Sequence, residues 1–478
     1  MASADDPIGP VLILDEIRGD RMHLAALAIG RAAPDPLDAP DGPAPFEHLA
    51  SFGEITVWRA RFAVPAEAPS SYRFAGSTYE IAGALGGDLR FAYVSCNGEE
   101  HADLSRAPAE RNVMWRRLGE DHAEAPFALL LHGGDQVYAD EVTQDHPLSA
   151  GWPVDLPDAP SEAALDELAA HLRAGFAHRY AALYAQPAFA WLAARVPSLM
   201  QWDDHDICDG WGSLPPEAAE SAVGRAIFAA AREAALVFQH ACRDGDLPGR
   251  FDAPAGDHLG WSVAGPGFRL VAPDLRSQRS LTRVMGATGW SFVERMAEET
   301  EPRHCFLMSS VPLLGPRLSL VERAMRRVPG IQKYEDDLRD QWQSRAHRAA
   351  WVRMLRLVDR MAARSGADVT ALSGEIHLAT RAEMPLGGGR VLHQLVASGI
   401  AHRPPPQFWA RLLGALAALG EAPIPERPIR ILPLPGQRGR YAAERNALTL
   451  TRADGVWSAS WSLEHSGPTP PLSLTTGA

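Results

Sequence analysis

Apolar positions along this chain follow two rhythms. From Glu54 to Pro65 they alternate with period two before stopping at proline, the pattern of a half-buried strand. Pro10–Leu14, Ser71–Phe74 and Thr78–Ile81 read as further short strands, and the Ala-, Pro- and Asp-rich stretch 31–45 reads as a loop. Residues 1–88 are thus expected to form an antiparallel, sandwich-like module that ends in a hinge over Gly83–Asp88. From Leu89 the rhythm changes. Short, mostly apolar runs at 89–94, 128–132, 196–200, 267–272, 304–308 and 368–373 are separated by stretches of helical spacing. The main helical stretches are 160–196, with Ser161 as a cap, 216–243 and 345–365. Buried strands interleaved with helices predict an α/β core over 89–406. Beyond it, 407–420 reads as an apolar helix, and two strands around Ala453-Asp454-Gly455 read as a hairpin. These belong to a 407–478 extension whose last dozen residues, rich in Pro, Ser and Thr, are expected to fray.

Polar clusters sit where the apolar runs stop. Ser95-Cys96-Asn97 follows the first, Gly134-Asp135-Gln136-Val137-Tyr138-Ala139-Asp140 the second, and Trp202-Asp203-Asp204-His205-Asp206-Ile207-Cys208-Asp209 the third. Ser373-Gly374-Glu375-Ile376-His377 closes the last. In α/β cores, ligands collect at the carboxyl ends of strands. The 203–209 stretch alone holds four carboxylates and an imidazole, and neighbouring carboxylates oppose one another's ionisation unless a cation neutralises them. Thiolate, phenolate, carboxylate and imidazole together suit a transition metal beside a harder ion, and thiolate with phenolate points to ferric iron more than to zinc.

Bulk properties narrow the function. The net charge of −13 argues against a surface built to grip nucleic acid, although it leaves phosphorylated small molecules and phosphodiesters open as substrates. Four scattered cysteines without a CxxC pair give neither a disulfide framework nor a zinc ribbon. The acidic start of the chain has no export signal, and no apolar run approaches the roughly 20 residues of a membrane span. A reducing, cytoplasmic setting is the expectation, and no residue pattern assigns an oligomeric state. A serine hydrolase is disfavoured because no G-x-S-x-G elbow surrounds Ser95, Ser373 or Ser398. A non-catalytic metal protein would be marked by loss of Asp135 or His377, and both are present.

The order Ser-Cys, Gly-Asp-x-x-Tyr, Trp-Asp-Asp-His-Asp and Ser-Gly-acid-x-His resembles the alkaline phosphatase D (PhoD-like) family of the calcineurin-like metallophosphoesterases. Pro273–Arg279 resembles that family's Asp-x-Arg-x-x-Arg segment, and the likeness runs from about residue 89 to 406. The resemblance implies a two-sheet α/β/β/α metallophosphoesterase sandwich that hydrolyses phosphomonoesters or phosphodiesters with iron and calcium, other divalent metals being possible. Cys96, Asp135, Tyr138 and His377 would hold the iron. Asp135 would bridge to a second ion held also by Asp204 and Glu375. His205 would be the general acid, beside Asp204, and Arg276 and Arg279 would hold phosphate oxygens. Glu375 replaces the family's usual Asp, and Asp209 stands where some members carry Asn. The pocket walls are expected from 141–160 and from 280–345, with its basic Arg323, Arg326 and Arg327.

Overall fold

A computed structural model describes residues 7–252, 257–316 and 341–475. Arg323, Arg326 and Arg327 lie outside the described residues. Two large sheets pack face to face. In the first, Leu89–Val94, Leu129–His132 and Ser198–Met200 run parallel, and Ile8–Arg18 adds in parallel beyond Ser198–Met200. In the second, Phe268–Ala272, His304–Met308, Val369–Ser373 and Val391–Val396 run parallel, with antiparallel strands on both flanks. The seam between the sheets is aromatic: Phe91 meets Phe268 at a 5.0 Å centroid distance, and Phe306 meets Trp457 at 4.8 Å. Buried indoles tie the layers by polar contacts as well. Trp261 Nε1 donates to the carbonyl of Met200 at 2.8 Å, and Trp461 Nε1 to that of Val396 at 2.9 Å.

Helices cover the outer faces, completing the α/β/β/α order. Glu162–Tyr184 begins as expected at Ser161, whose Oγ accepts the Ala164 N–H at 3.2 Å. The single helix expected over 216–243 is instead three pieces: Pro216–Ala219, Ala222–Ala234 with Ser221 as its cap, and a widened π turn over Ala235–Gln239. The wide turn has a use. It lets Gln239 Nε2 reach Tyr180 Oη at 2.7 Å and Asp206 Oδ1 at 3.1 Å, beneath the acidic strand end.

The expected sandwich in the first 88 residues exists, but it is not set apart from the rest. Leu37–Ala39, Gly42–Ala44, Ser70–Phe74 and Ser77–Ile81 form a small sheet packed on Ile55–Pro65, with Phe62 and Tyr72 rings 5.5 Å apart. Ile55–Pro65 itself belongs, through Arg21–Ile29 and Ile8–Arg18, to the first large sheet. The other end behaves the same way. Asn446–Ala453 pairs with Leu89–Val94, and Arg427–Leu432 pairs with Ala379–Pro385. A strand edge leaves backbone donors and acceptors unmatched, so the edges recruit strands from either end of the chain. Divisions at residues 88 and 406 therefore follow motif content and not the sheets. The tail expected to fray is likewise bound through residue 475: Gly467–Pro468 and Leu472–Ser473 pair with Val456–Leu463, and Leu474 is buried. Among the described residues, no helix is long and apolar enough to cross a membrane.

Candidate metal centre

The parallel strands of both sheets end at one face, and the residues just past those ends are forced into unusual backbone conformations. Cys96, Asp135, Glu375 and His377 have φ of 56°, 53°, 66° and 52°. Left-handed geometry in such residues costs on the order of 1–3 kcal/mol each and persists only where the surroundings over-determine it. Here they do. The Cys96 N–H is held by the Gly134 carbonyl at 3.2 Å, the Asn97 N–H by that of Asp135 at 2.8 Å, and the His377 N–H by Ser398 Oγ at 2.7 Å. Gly134, at φ 117°, lies so close to Asp203 that an added Cβ would come 2.7 Å from that residue's Cβ. At Gly374 an added Cβ would come 2.4 Å from Ser95 Oγ, so the ends of the two sheets touch here.

Three overlapping groups of ligating atoms result, the atoms within each lying within 4.8 Å of one another: Cys96, Asp135 and His377; Asp135, Asp203 and Asp204; and Asp204, His205 and Asp209. Asp135 is common to the first two and Asp204 to the last two. Tyr138 joins the first group through its hydroxyl, 3.0 Å from His377 Nε2, and its ring stacks on His205 at 4.2 Å. Burial, then Asp204 and Asp203, push the Asp135 carboxyl well above its usual range. Burial and then Asp135 push the Cys96 thiol up, and burial and then Cys96 push the Tyr138 phenol up. Asp135 Oδ1 is buried without a hydrogen-bond partner. Sulfur, phenol, imidazole and crowded carboxylates that resist ionisation together, with one carboxylate oxygen unsatisfied, fit a cation that takes the place of protons.

The acidic run after Met200 divides its labour. Asp203 and Asp204 face the ligand groups. Asp206 does not: it caps the local turn, accepting the N–H groups of Asp203 and Gln136 at 2.9 Å each, and burial raises it to about 7. Asp209 sits exposed at the rim and belongs to the third of these groups. His205 Nδ1 is paired with Asp140 Oδ2 at 3.0 Å. Burial opposes protonation of this ring, but Asp140 and Asp204 outweigh it and hold His205 well above the ordinary imidazole range.

Arg276, Glu375 and Arg279 have these surroundings. Arg276 is fully buried and engaged by Asp203, by Asp204 Oδ1 at 3.3 Å and by the Trp211 carbonyl at 3.0 Å, so it braces the carboxylates. Ser310 Oγ helps it, donating to Asp203 Oδ1 at 2.8 Å. Glu375 does not join any ligand group among the described residues. Both of its carboxylate oxygens accept from Gln341 Nε2, at 2.6 and 2.7 Å, while its backbone hydrogen-bonds Cys96. Arg279 is buried against Gly212, where an added Cβ would come 2.6 Å from its Cδ.

Four residues were given no role from sequence, one of them Asp203 in the second ligand group. Asp140 closes the Gly134–Asp140 stretch, and its second oxygen accepts the Asp209 N–H at 2.6 Å, a spacing that could have marked it. His402 stacks on His377 at 3.4 Å, and its Nε2 is 3.3 Å from Glu100 Oε2. Burial works against ionisation of Glu100, yet the His402 contact holds its pKa well below the usual range. Nothing local in the sequence signals that pair.

A family model described as PhoD related phosphatase matches residues 75–334, more than half of the chain. The uncharacterized Saccharomyces cerevisiae protein YGR266W is 24% identical over 409 residues, covering 67% of this chain and 57% of the yeast protein. The chain thus spans little more than half the length of that relative. The structure of PhoD superposes with a TM-score of 0.59 at 14% identity, covering 99% of this chain and 90% of the other, a likeness of fold. A Plasmodium structure, GAP50, the anchor in the inner membrane complex, gives a TM-score of 0.39 at 7% identity over 81% of this chain and 89% of that one, too low to support an argument. With more than half its length matched and the strand-end site in place, this chain belongs to the PhoD-related phosphatase family.

Proposed function

We propose that this protein is a metal-dependent hydrolase of phosphoric esters, acting on monoesters or diesters. The observation that carries the reading is the sharing of Asp135 between a Cys96/His377 group and an Asp203/Asp204 group, the layout of a bridged pair of ions. Cys96, Asp135, Tyr138 and His377 would hold ferric iron; Asp135, Asp203 and Asp204 would hold calcium or another hard divalent ion. When bound, such ions polarise phosphoryl oxygens and supply a nucleophile at neutral pH. The protein's own residues do the rest. Asp140 holds His205 by Nδ1, so Nε2 is the atom from which a proton passes to the leaving oxygen. Arg276 and Ser310 fix Asp203.

The four free cysteines, all buried, suit a reducing cytoplasmic setting. The test is metal analysis of the purified protein together with hydrolysis of p-nitrophenyl phosphate and bis-p-nitrophenyl phosphate. Iron, a visible charge-transfer band that Tyr138→Phe bleaches, and chelator-sensitive turnover are expected. A protein that stays metal-free and inert after iron and calcium are added back overturns the reading.

A further inference from the structure

Two buried serines touch the sulfur of Cys96, and their protons have different destinations. Ser95 Oγ lies 3.4 Å from Cys96 Sγ and Ser398 Oγ lies 3.1 Å from it, with all three residues shielded from solvent. Ser95 donates its hydroxyl proton to the Ala397 carbonyl at 3.0 Å, so toward the sulfur it can only accept. Ser398 is the reverse case. Its oxygen accepts the His377 N–H at 2.7 Å, and among the described residues Cys96 Sγ is the acceptor in reach of its own proton. The Cys96 thiol in turn points at Asp135 Oδ2, 3.4 Å away, the direction in which a shared cation would replace its proton. The sulfur then keeps the hydrogen bond from Ser398.

The placement of Ser398 is fixed from several sides. Asn446 Nδ2 holds its carbonyl at 2.6 Å, and the Ala397 N–H donates to the Ser373 carbonyl at 3.1 Å. The Gly399 and Ile400 N–H groups donate to the Ser95 carbonyl at 3.3 and 3.0 Å. Residues 397–400 thus bridge the end of Val369–Ser373 and the loop that carries Cys96. One hydroxyl touches a ligand from each sheet: the backbone of His377 and the sulfur of Cys96. The backbone N–H of Glu375 also donates to this sulfur, and that bond does not depend on Ser398.

We propose that Ser398 is a positioning residue of the metal centre, donating its hydroxyl to the Cys96 sulfur while its oxygen holds the His377 backbone. The inference rests on the assignment of Cys96 and His377 as ligands and adds what governs the sulfur's donor strength. A hydrogen bond to an ionised acceptor is stronger than one to a neutral acceptor, so this contact tightens when the sulfur binds a cation. It draws electron density from the sulfur lone pairs and lowers their energy. Charge transfer from sulfur to metal then needs more energy, the same lever by which hydrogen bonds to sulfur tune other thiolate centres. Ser95, whose proton is committed to a carbonyl, has no such effect.

The test titrates cobalt(II), an ion suited to imidazole and thiolate ligands, into the metal-free full chain and records the sulfur-to-cobalt absorption band. Cys96→Ser should abolish the band and so identify it. Ser398→Ala should move the band to lower energy and weaken cobalt binding about 10- to 100-fold. Ser398→Thr, which keeps the hydroxyl, should return the band to its original position. Ser95→Ala removes the sulfur's other hydroxyl neighbour and should leave the band where it is. A band that Ser398→Ala does not move, or that Ser95→Ala moves equally, overturns the inference while Cys96 stands as a ligand. No band in the unaltered chain, or one that survives Cys96→Ser, removes Cys96 from the centre and defeats the assignment beneath the inference. Should Ser398→Ala not fold, Asn446→Ala is read in its place. It frees the Ser398 carbonyl without touching a ligand, and it should move the band in the same direction; an unmoved band overturns the inference.

Discussion

The sheet containing Leu89–Val94 delivers Cys96, Asp135, Asp203, Asp204 and His205 to the candidate ligand groups, whereas, among the described residues, the sheet containing Val369–Ser373 delivers one member, His377. The second sheet's other strand ends act as supports: Arg276 and Ser310 grip Asp203, and the Glu375 backbone bonds to Cys96. One sheet thus carries the chemistry and the other carries its alignment. Ligands and the acid need to move together with a single rigid frame, and a frame made of adjacent parallel strands meets that need better than one split across a packing seam.

Substitutions separate the two contributions. Asp135→Ala, in the chemical sheet, removes a member of two ligand groups at once; metal content and turnover should both fall to background. Turnover retained in that variant would end the assignment. His205→Ala should keep the metals and lower kcat by about 10²–10⁴, most for poor leaving groups. An unchanged rate would remove its role as acid. Arg276→Met, in the supporting sheet, leaves buried carboxylates without their guanidinium. It should cost about 3–5 kcal/mol of stability and weaken metal binding roughly 10- to 100-fold while the residual turnover keeps its leaving-group dependence. If that dependence changes, Arg276 does more than align.

The smallest effect comes from the interior of the supporting sheet. His304 is buried, its Nε2 2.9 Å from Thr370 Oγ1, and burial lowers it from 6.5 to about 4. Its folded pKa lies below its unfolded value, so its contribution is complete above pH 6.5 and is lost as pH falls toward 4. Between pH 7 and pH 5 this amounts to about 2 kcal/mol. His304→Gln should flatten the acid side of the stability profile in urea titrations with no change in metal content at pH 7. A slope that is identical in the variant would place the acid sensitivity elsewhere, His132 being the next candidate, lowered to about 3 by burial.

Much of the chemical sheet was readable in the chain because each ligand follows its own strand directly. Cys96, Asp135 and Asp204 lie within a few residues of Val94, His132 and Met200. The supporting roles were not, because they depend on contacts across long separations. Arg276 sits in a stretch resembling a phosphate contact, but its partner, Asp203, is 73 residues away. Glu375 occupies a ligand's place in its motif, yet its left-handed backbone and Gln341 set the direction of its carboxylate. Pairing of sheet edges was equally hidden: period-two alternation identifies Ile55–Pro65 as a strand, but it says nothing about which edge that strand completes.

The pairing of Asn446–Ala453 with Leu89–Val94 sets an order of events during synthesis. The strand that presents Cys96 keeps an open edge until some 350 further residues have been made, and Asn446 also anchors the Ser398 carbonyl through its Nδ2 at 2.6 Å. Such distant closure slows folding and leaves an exposed edge on the nascent chain. The strand that leads into Cys96 is thus completed only once residues 446–453 have been made, although Cys96 itself is translated early.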